Sequence, residues 1–216
     1  MRKLLFIYLV IILLSLTIFG EGFFDNPSES IQSLPYQTLS ATEISGLLQM
    51  REEEKLARDV YLSLYYKWNI ETFYNISKSE QTHMDAVKAI LDKYNLEDPV
   101  KDNTVGVFTN TKLQKLYYDL VAMGMPSEVD ALKVGGFIED LDIYDLDELL
   151  KETDNEDIIL VYENLRKGSE NHMRAFVSQL EKYNETYTPK FITLDEFNKI
   201  LSDSNSMGNG NGHGKK

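Results

Sequence analysis

From Ser40 to about residue 201, apolar residues recur at three- and four-residue spacing, the pattern of amphipathic helices packed on a shared core. Ser40-Ala-Thr-Glu43 spells a capping box, which predicts a first long helix running to about Trp68. A second long helix is predicted over about 72–95. A loop with Asp98-Pro99 and Gly106 follows, then a short helix over about 111–124 that ends at Gly124-Met125-Pro126. A third long helix is predicted from about Ser127 to Leu150. Thr153-Asp-Asn-Glu156 spells another capping box and opens a fourth, which reaches about Tyr183. Pro189 breaks the chain, and Thr193-Leu-Asp-Glu196 caps a short last helix. No repeated strand pattern is present; Lys190-Phe-Ile-Thr193 is at most a short extended piece. The fold class is therefore all-α, a four-helix bundle with one long crossover between its second and third helices and short extra helices.

The inward stripes carry the chemistry. In the first helix, Leu47, Met50, Glu54, Ala57, Tyr61, Leu64 and Trp68 share one face, and only Glu54 is charged. Glu52 and Glu53 fall off that stripe and read as solvated. In the second, Phe73, Ile76, Glu80, His83, Val87, Ile90 and Tyr94 share a face interrupted only by the Glu80/His83 pair. A buried lone carboxylate costs several kcal/mol unless it is paired or binds a metal, so the two helices are expected to face their acids toward each other. A competing reading exists: Ser77-Lys-Ser-Glu80 also spells a capping box, which would put Glu80 on the surface. The third helix gives Leu132, Gly135, Glu139, Asp142, Leu146 and Leu149. Glu139 is its leading candidate, with Asp140 and Asp142 as alternatives and a solvated acid as the plain reading. The fourth gives Ile158, Leu165, Ser169, His172, Phe176 and Leu180, so His172 points inward. Tyr61, Tyr65, Tyr94 and Tyr162 read as core aromatics, and Gly135-Gly136 as a site of close helix packing.

Composition narrows the function. Asp+Glu 35 against Lys+Arg 22 gives a formal net charge of −13, which disfavours nucleic acid and anionic lipid as partners. With no cysteine, thiolate metal sites, disulfides, Cys nucleophiles and iron–sulfur clusters are excluded. Arg2 and Lys3 precede an apolar run from Leu4 to Phe19, so residues 1–22 read as a secretory signal cleaved after Gly22 or as an uncleaved signal anchor. Either places the remainder outside the cytoplasm, with membrane contact only through that segment. Asn26-Pro27-Ser28 and Leu34-Pro35 mark a linker over 23–39, the bundle occupies 40–201, and the Ser/Asn/Gly-rich tail over 202–216, with His213, reads as disordered.

Six stretches, Glu52–Tyr61, Ser79–Val87, Gly106–Asn110, Asp130–Val134, Ile138–Ile143 and Gly168–Phe176, resemble the ferritin-like superfamily, and within it an uncharacterised domain-of-unknown-function family related to rubrerythrin. The resemblance spans about 40–200 and implies a ferritin-like bundle. In that superfamily, two helices each supply a Glu and two supply Glu-x-x-His to metals in the core. Carried over by position, this implies Glu54, Glu80, His83, Glu139 and His172 as metal ligands. Ser169 departs from the pattern where the sixth ligand, a carboxylate, is expected; Asp142 or Glu170 would have to compensate, although Glu170 should point elsewhere. The implied cofactor is iron, one or two ions, with manganese or zinc as alternatives. The implied activity is that of a di-metal oxidase or peroxidase using dioxygen or peroxide, with a separate reductant because no cysteine-ligated iron is available. The competing readings are an exported, non-catalytic metal-binding protein and a metal-free helical interaction module. A homodimer is a further expected assembly.

Overall fold

The computed structural model describes residues 27–203. The expected leader and most of the expected tail, His213 included, lie outside the described residues. Those described form seven helices and no strand: α1 Pro27–Ser33, α2 Ala41–Trp68, α3 Glu71–Lys93, α4 Thr111–Gly124, α5 Glu128–Lys151, α6 Glu156–Glu181 and α7 Leu194–Ser202. None is long and apolar enough to cross a membrane.

Only Asn69 and Ile70 separate α2 from α3, and only residues 152–155 separate α5 from α6. Each pair therefore folds back on itself as a helical hairpin. The two hairpins pack through α2 against α5 and α3 against α6, and α4, inside the crossover, lies on α2 and α5. Asn69 makes the tight first turn by adopting the left-handed conformation, φ 52°, while its N–H bonds to the Tyr65 carbonyl. The Ser40/Glu43 capping box forms as expected: Ser40 Oγ accepts from the Glu43 N–H at 3.1 Å, and Glu43 Oε2 accepts from the Ser40 N–H at 2.7 Å.

One expectation is corrected. The Thr153 capping box does not form, because Thr153 Oγ1 donates instead to Glu43 Oε1 at 2.6 Å, and Asn155 becomes the N-cap of α6. Glu43 thereby ties the start of α2 to the start of α6. The linker over 23–39 contains α1, whose Ile31 is fully buried against the bundle. The two prolines read as breakers bracket this helix: Pro27 is its first residue, where a missing N–H is harmless, and Pro35 follows its end. Lys93 Nζ donates to the Ile31 and Leu34 carbonyls at 3.0 and 3.1 Å, satisfying acceptors that the short helix leaves open.

The core has two apolar clusters. One gathers Tyr61, Leu64, Phe73, Leu132, Phe176 and Leu180; the other gathers Leu47, Met50, Val87, Ile90, Val161 and Leu165. The charged members of the stripes lie between them. Gly135 gives the close α5–α6 approach expected of it, since a Cβ there would come within 2.5 Å of the Phe176 ring.

The crossover is anchored by a buried ion network on α2 that the stripes did not reveal. Lys55 and Asp59 are 1% and 0% exposed and one helical turn apart. Lys55 Nζ donates to Asp59 Oδ2 at 2.5 Å and to the Thr104 and Val107 carbonyls at 3.0 Å each. Asp59 also accepts from the Gly106 N–H at 2.9 Å and from Arg58, which reaches on to Gln81 and Asn103. Removing one partner of a buried ion pair leaves the other without compensation. Lys55→Met is therefore expected to destabilise the protein by about 3 kcal/mol in urea unfolding and to speed amide exchange over residues 103–108. A loss too small to measure would refute this anchoring role.

Candidate metal centre

Midway along the four long helices, one layer of the core is polar. Glu54 comes from α2, Glu80 and His83 from α3, Glu139 from α5 and His172 from α6, and none is more than 7% exposed. The helix α3 starts at Glu71, so the competing reading of Ser77 as a cap does not hold; Ser77 Oγ donates to the Tyr74 carbonyl, and Glu80 stays inside. All five residues expected from the sequence meet here. His83 Nδ1 lies 2.8 Å from Glu80 Oε2 and 3.2 Å from Glu54 Oε2. His172 Nδ1 lies 2.9 Å from Glu80 Oε1 and 3.4 Å from Glu139 Oε2. Glu80 thus sits between the two imidazoles, whose rings stack with centroids 5.4 Å apart. One ligand atom each from Glu80, His83 and His172 can be chosen within 4.8 Å of one another, a grouping able to hold a metal ion.

Two details distinguish this cluster from a closed set of ion pairs. His172 Nδ1 is buried beside two carboxylates, yet neither is aligned with it as a hydrogen-bond acceptor. Glu54 Oε1 is buried without a hydrogen-bond partner, its sister oxygen being the one near His83. Orphaned buried polar atoms are rare and costly, and Glu54 Oε1 has lone pairs to offer.

The electrostatics follow from burial and crowding. Burial alone would lower both histidines, but the Glu54 and Glu80 charges hold His83 well above the usual imidazole range, and those of Glu80 and Glu139 do the same for His172. Burial raises Glu54 and Glu139 against the opposing pull of His83 and His172 respectively. Glu80 is the exception: despite burial, the charges of His172 and His83 bring it well below the usual carboxylate range. Glu80 is therefore the carboxylate most firmly held as an anion.

Around this layer the structure sorts the alternatives. Ser169 does not leave a gap, for its Oγ donates to Asp142 Oδ2 at 2.5 Å and so turns that carboxylate toward α6. Burial and then the Glu54 charge raise Asp142 well above its usual value. Glu170 pairs with Arg166 and points away, as expected. Asp140 has a different task. Its carboxylate accepts from the Tyr187 hydroxyl at 2.7 Å and from the Lys190 and Ile192 N–H groups at 2.5 and 3.0 Å, clamping the segment before α7. That segment is bent rather than extended.

Three contributors escaped the sequence reading. Tyr61 is more than a core aromatic: its hydroxyl donates to Glu139 Oε1 at 2.5 Å, and burial together with the Glu139 charge keeps the phenol protonated. Glu53, read as solvated, is partly buried with Oε2 unpartnered, and burial and the nearby Asp145 charge raise it to about 8. Gly168 on α6 faces His83, where a Cβ would lie 2.4 Å from Nε2. A signal for Gly168 was present, because a glycine inside a helix is unfavourable and needs a packing reason. Periodicity put Tyr61 on the inward stripe but said nothing of its hydroxyl, and it did not mark Glu53.

Comparison with known proteins agrees over nearly the whole described chain. A family described as "Uncharacterized protein domain (DUF2202)" matches residues 43–204. The uncharacterised protein MJ0754 of Methanocaldococcus jannaschii is 59% identical over 180 residues, spanning 83% of this chain and 97% of its own length. The crystal structure of the hypothetical protein MJ0754 from Methanococcus jannaschii matches with a TM-score of 0.78 at 60% identity, covering 79% of this chain and 98% of that one. The chain, with its buried carboxylate/histidine layer, therefore belongs to the DUF2202 family.

Proposed function

We propose that this protein is a ferritin-like metal-binding protein whose bundle core holds a redox metal ion, iron before manganese or zinc. The observation carrying this reading is the buried Glu80/His83/His172 donor set together with the orphaned Glu54 Oε1. The two-hairpin bundle with a long crossover, and one or two donors from each long helix, support the ferritin-like assignment. Mixed carboxylate and imidazole donors suit iron, manganese and zinc.

The residues fit the group. Glu80, His83 and His172 would hold a first ion, with Glu54 and Glu139 closing its surroundings, and Asp142, oriented by Ser169, would stand in for the carboxylate that serine replaces. Bound iron would supply redox chemistry toward dioxygen or peroxide. The protein's own part is to exclude water with the apolar clusters on either side and to fix the donors. Tyr61 holds one oxygen of Glu139, leaving the other toward His172. The leader expected from the sequence would place this chemistry outside the cytoplasm. A metal-free module is the second reading, favoured by the way two imidazoles already offset much of the charge of three carboxylates.

Elemental analysis decides between them. Full-length protein loaded anaerobically with Fe(II) and desalted is expected to retain at least about one iron per chain; Glu80→Ala, His83→Ala and His172→Ala should each lose it, whereas His213→Ala should not. No retained metal in the parent would overturn the metal reading, and oxygen uptake on adding Fe(II) would separate a catalyst from a passive binder. Gly168→Ala gives an independent check. Its methyl group would displace the His83 ring, so metal affinity should fall about 10-fold or more, as when the support of a ligand is disturbed, while helix propensity favours the alanine by about 1 kcal/mol. Unchanged affinity would show that the His83 ring position is irrelevant.

A further inference from the structure

Resting on the metal-binding reading above, we propose that the cavity between α2, α4 and α5 is the port by which a divalent cation reaches the buried layer, with Glu53 and Asp145 as its outer carboxylates and Asp142 as the step inward. The cavity has a volume of about 40 Å³. Its outer end is formed by partly exposed residues, Glu53 and Asp145 among them, and its inner end by Glu54, Glu80 and Glu139 of the centre. It thus runs from the surface to the cluster. Among the described residues lining it, every charged one is an acid; none is Lys, Arg or His.

The acids alone would not make a site. The second observation is Glu54 Oε1, an unpartnered oxygen on a side chain 2% exposed that lines this cavity while its sister oxygen lies near His83. A further unpartnered oxygen, Glu53 Oε2, lies on the adjacent residue. Asp142 follows Glu139 by three residues and precedes Asp145 by three, so the three α5 acids climb one face of that helix from the centre outward. Ser169 holds the middle one in place.

Size selects the occupant. About 10–15 Å³ of such space holds one water, so the cavity admits about three water-sized bodies, and a cation must exchange part of its hydration shell for carboxylate oxygens on the way in. The opposite wall, Leu116 and Leu120 of α4 with Phe137 of α5, is apolar. Acids of one sign facing a low-dielectric wall focus the field and draw cations in. The apolar clusters flank the layer along the bundle, and on the α3–α6 side Gly168 lies close against the His83 ring.

A port residue changes the rates of loading and release together, whereas a ligand changes affinity. Co(II) binding to the full-length apoprotein, followed by stopped-flow absorption, reads both. Assayed above pH 8, where Glu53 is ionised in the parent, Glu53→Gln/Asp145→Asn is expected to load about 10-fold more slowly, within the range of electrostatic steering, with a flatter dependence on ionic strength and unchanged stoichiometry and equilibrium affinity. Glu80→Ala should lose affinity. Asp145→Lys, a change at a partly exposed position, should slow loading further and guards against a folding defect in the double variant. Unchanged loading rates in both variants, or a fall in affinity at an unchanged rate, would overturn the port. A parent that binds no cobalt would instead overturn the metal reading beneath it, and is recognised before any variant is compared.

Discussion

A carboxylate moved from water into an apolar core carries a penalty of several kcal/mol unless opposite charge or hydrogen bonds meet it, and this protein places Glu54, Glu80 and Glu139 in one layer of its core. The remainder of the bundle is arranged around that demand. His83 and His172 enter from two further positions so that Glu80 lies between imidazoles. Gly168 clears room for one ring. Tyr61 and Ser169 donate to Glu139 and Asp142, the acids that the histidines serve less directly. The compensation remains incomplete at Glu54 Oε1, and that shortfall carries the functional argument.

The same chain shows what complete compensation looks like. Asp59 receives Lys55, Arg58 and the Gly106 N–H, and Asp140 receives a phenol and the backbone N–H groups of the segment before α7. Both are as deeply buried as the central acids. Both bind a loop to a helix and are fully occupied in doing so, which makes them structural. Burial alone therefore does not separate a ligand from a brace; the separation rests on whether lone pairs are left over.

Much of the candidate site was legible in the amino-acid order. Glu54 and the Glu80/His83 pair each interrupt an apolar stripe, and only a helix start at Ser77 stood against burying Glu80; the stripe extending back through Ile76 and Phe73 belongs to a helix that begins at Glu71. Glu139 was harder, because α5 is acidic on several faces and three of its acids fitted the pattern. Asp140 and Asp142 proved to serve different purposes, one turned toward Tyr187 and the other toward Ser169. Glu53 was misread because it lies off the main stripe, where α5 and its Asp145 nevertheless come close.

The four long helices, their inward positions and the long crossover follow from local rules of period and turn chemistry, so the sequence by itself determined them. It also determined which donor types were available, by containing no cysteine and only three histidines. The pairing of oxygens with nitrogens was decided by tertiary structure alone. Glu54 meets His83 from 29 residues away, and Tyr61 meets Glu139 from 78, through side-chain geometry that no periodicity records. Period places a residue on a face; only the packing of two faces decides which of its atoms is satisfied and which remains free for a ligand.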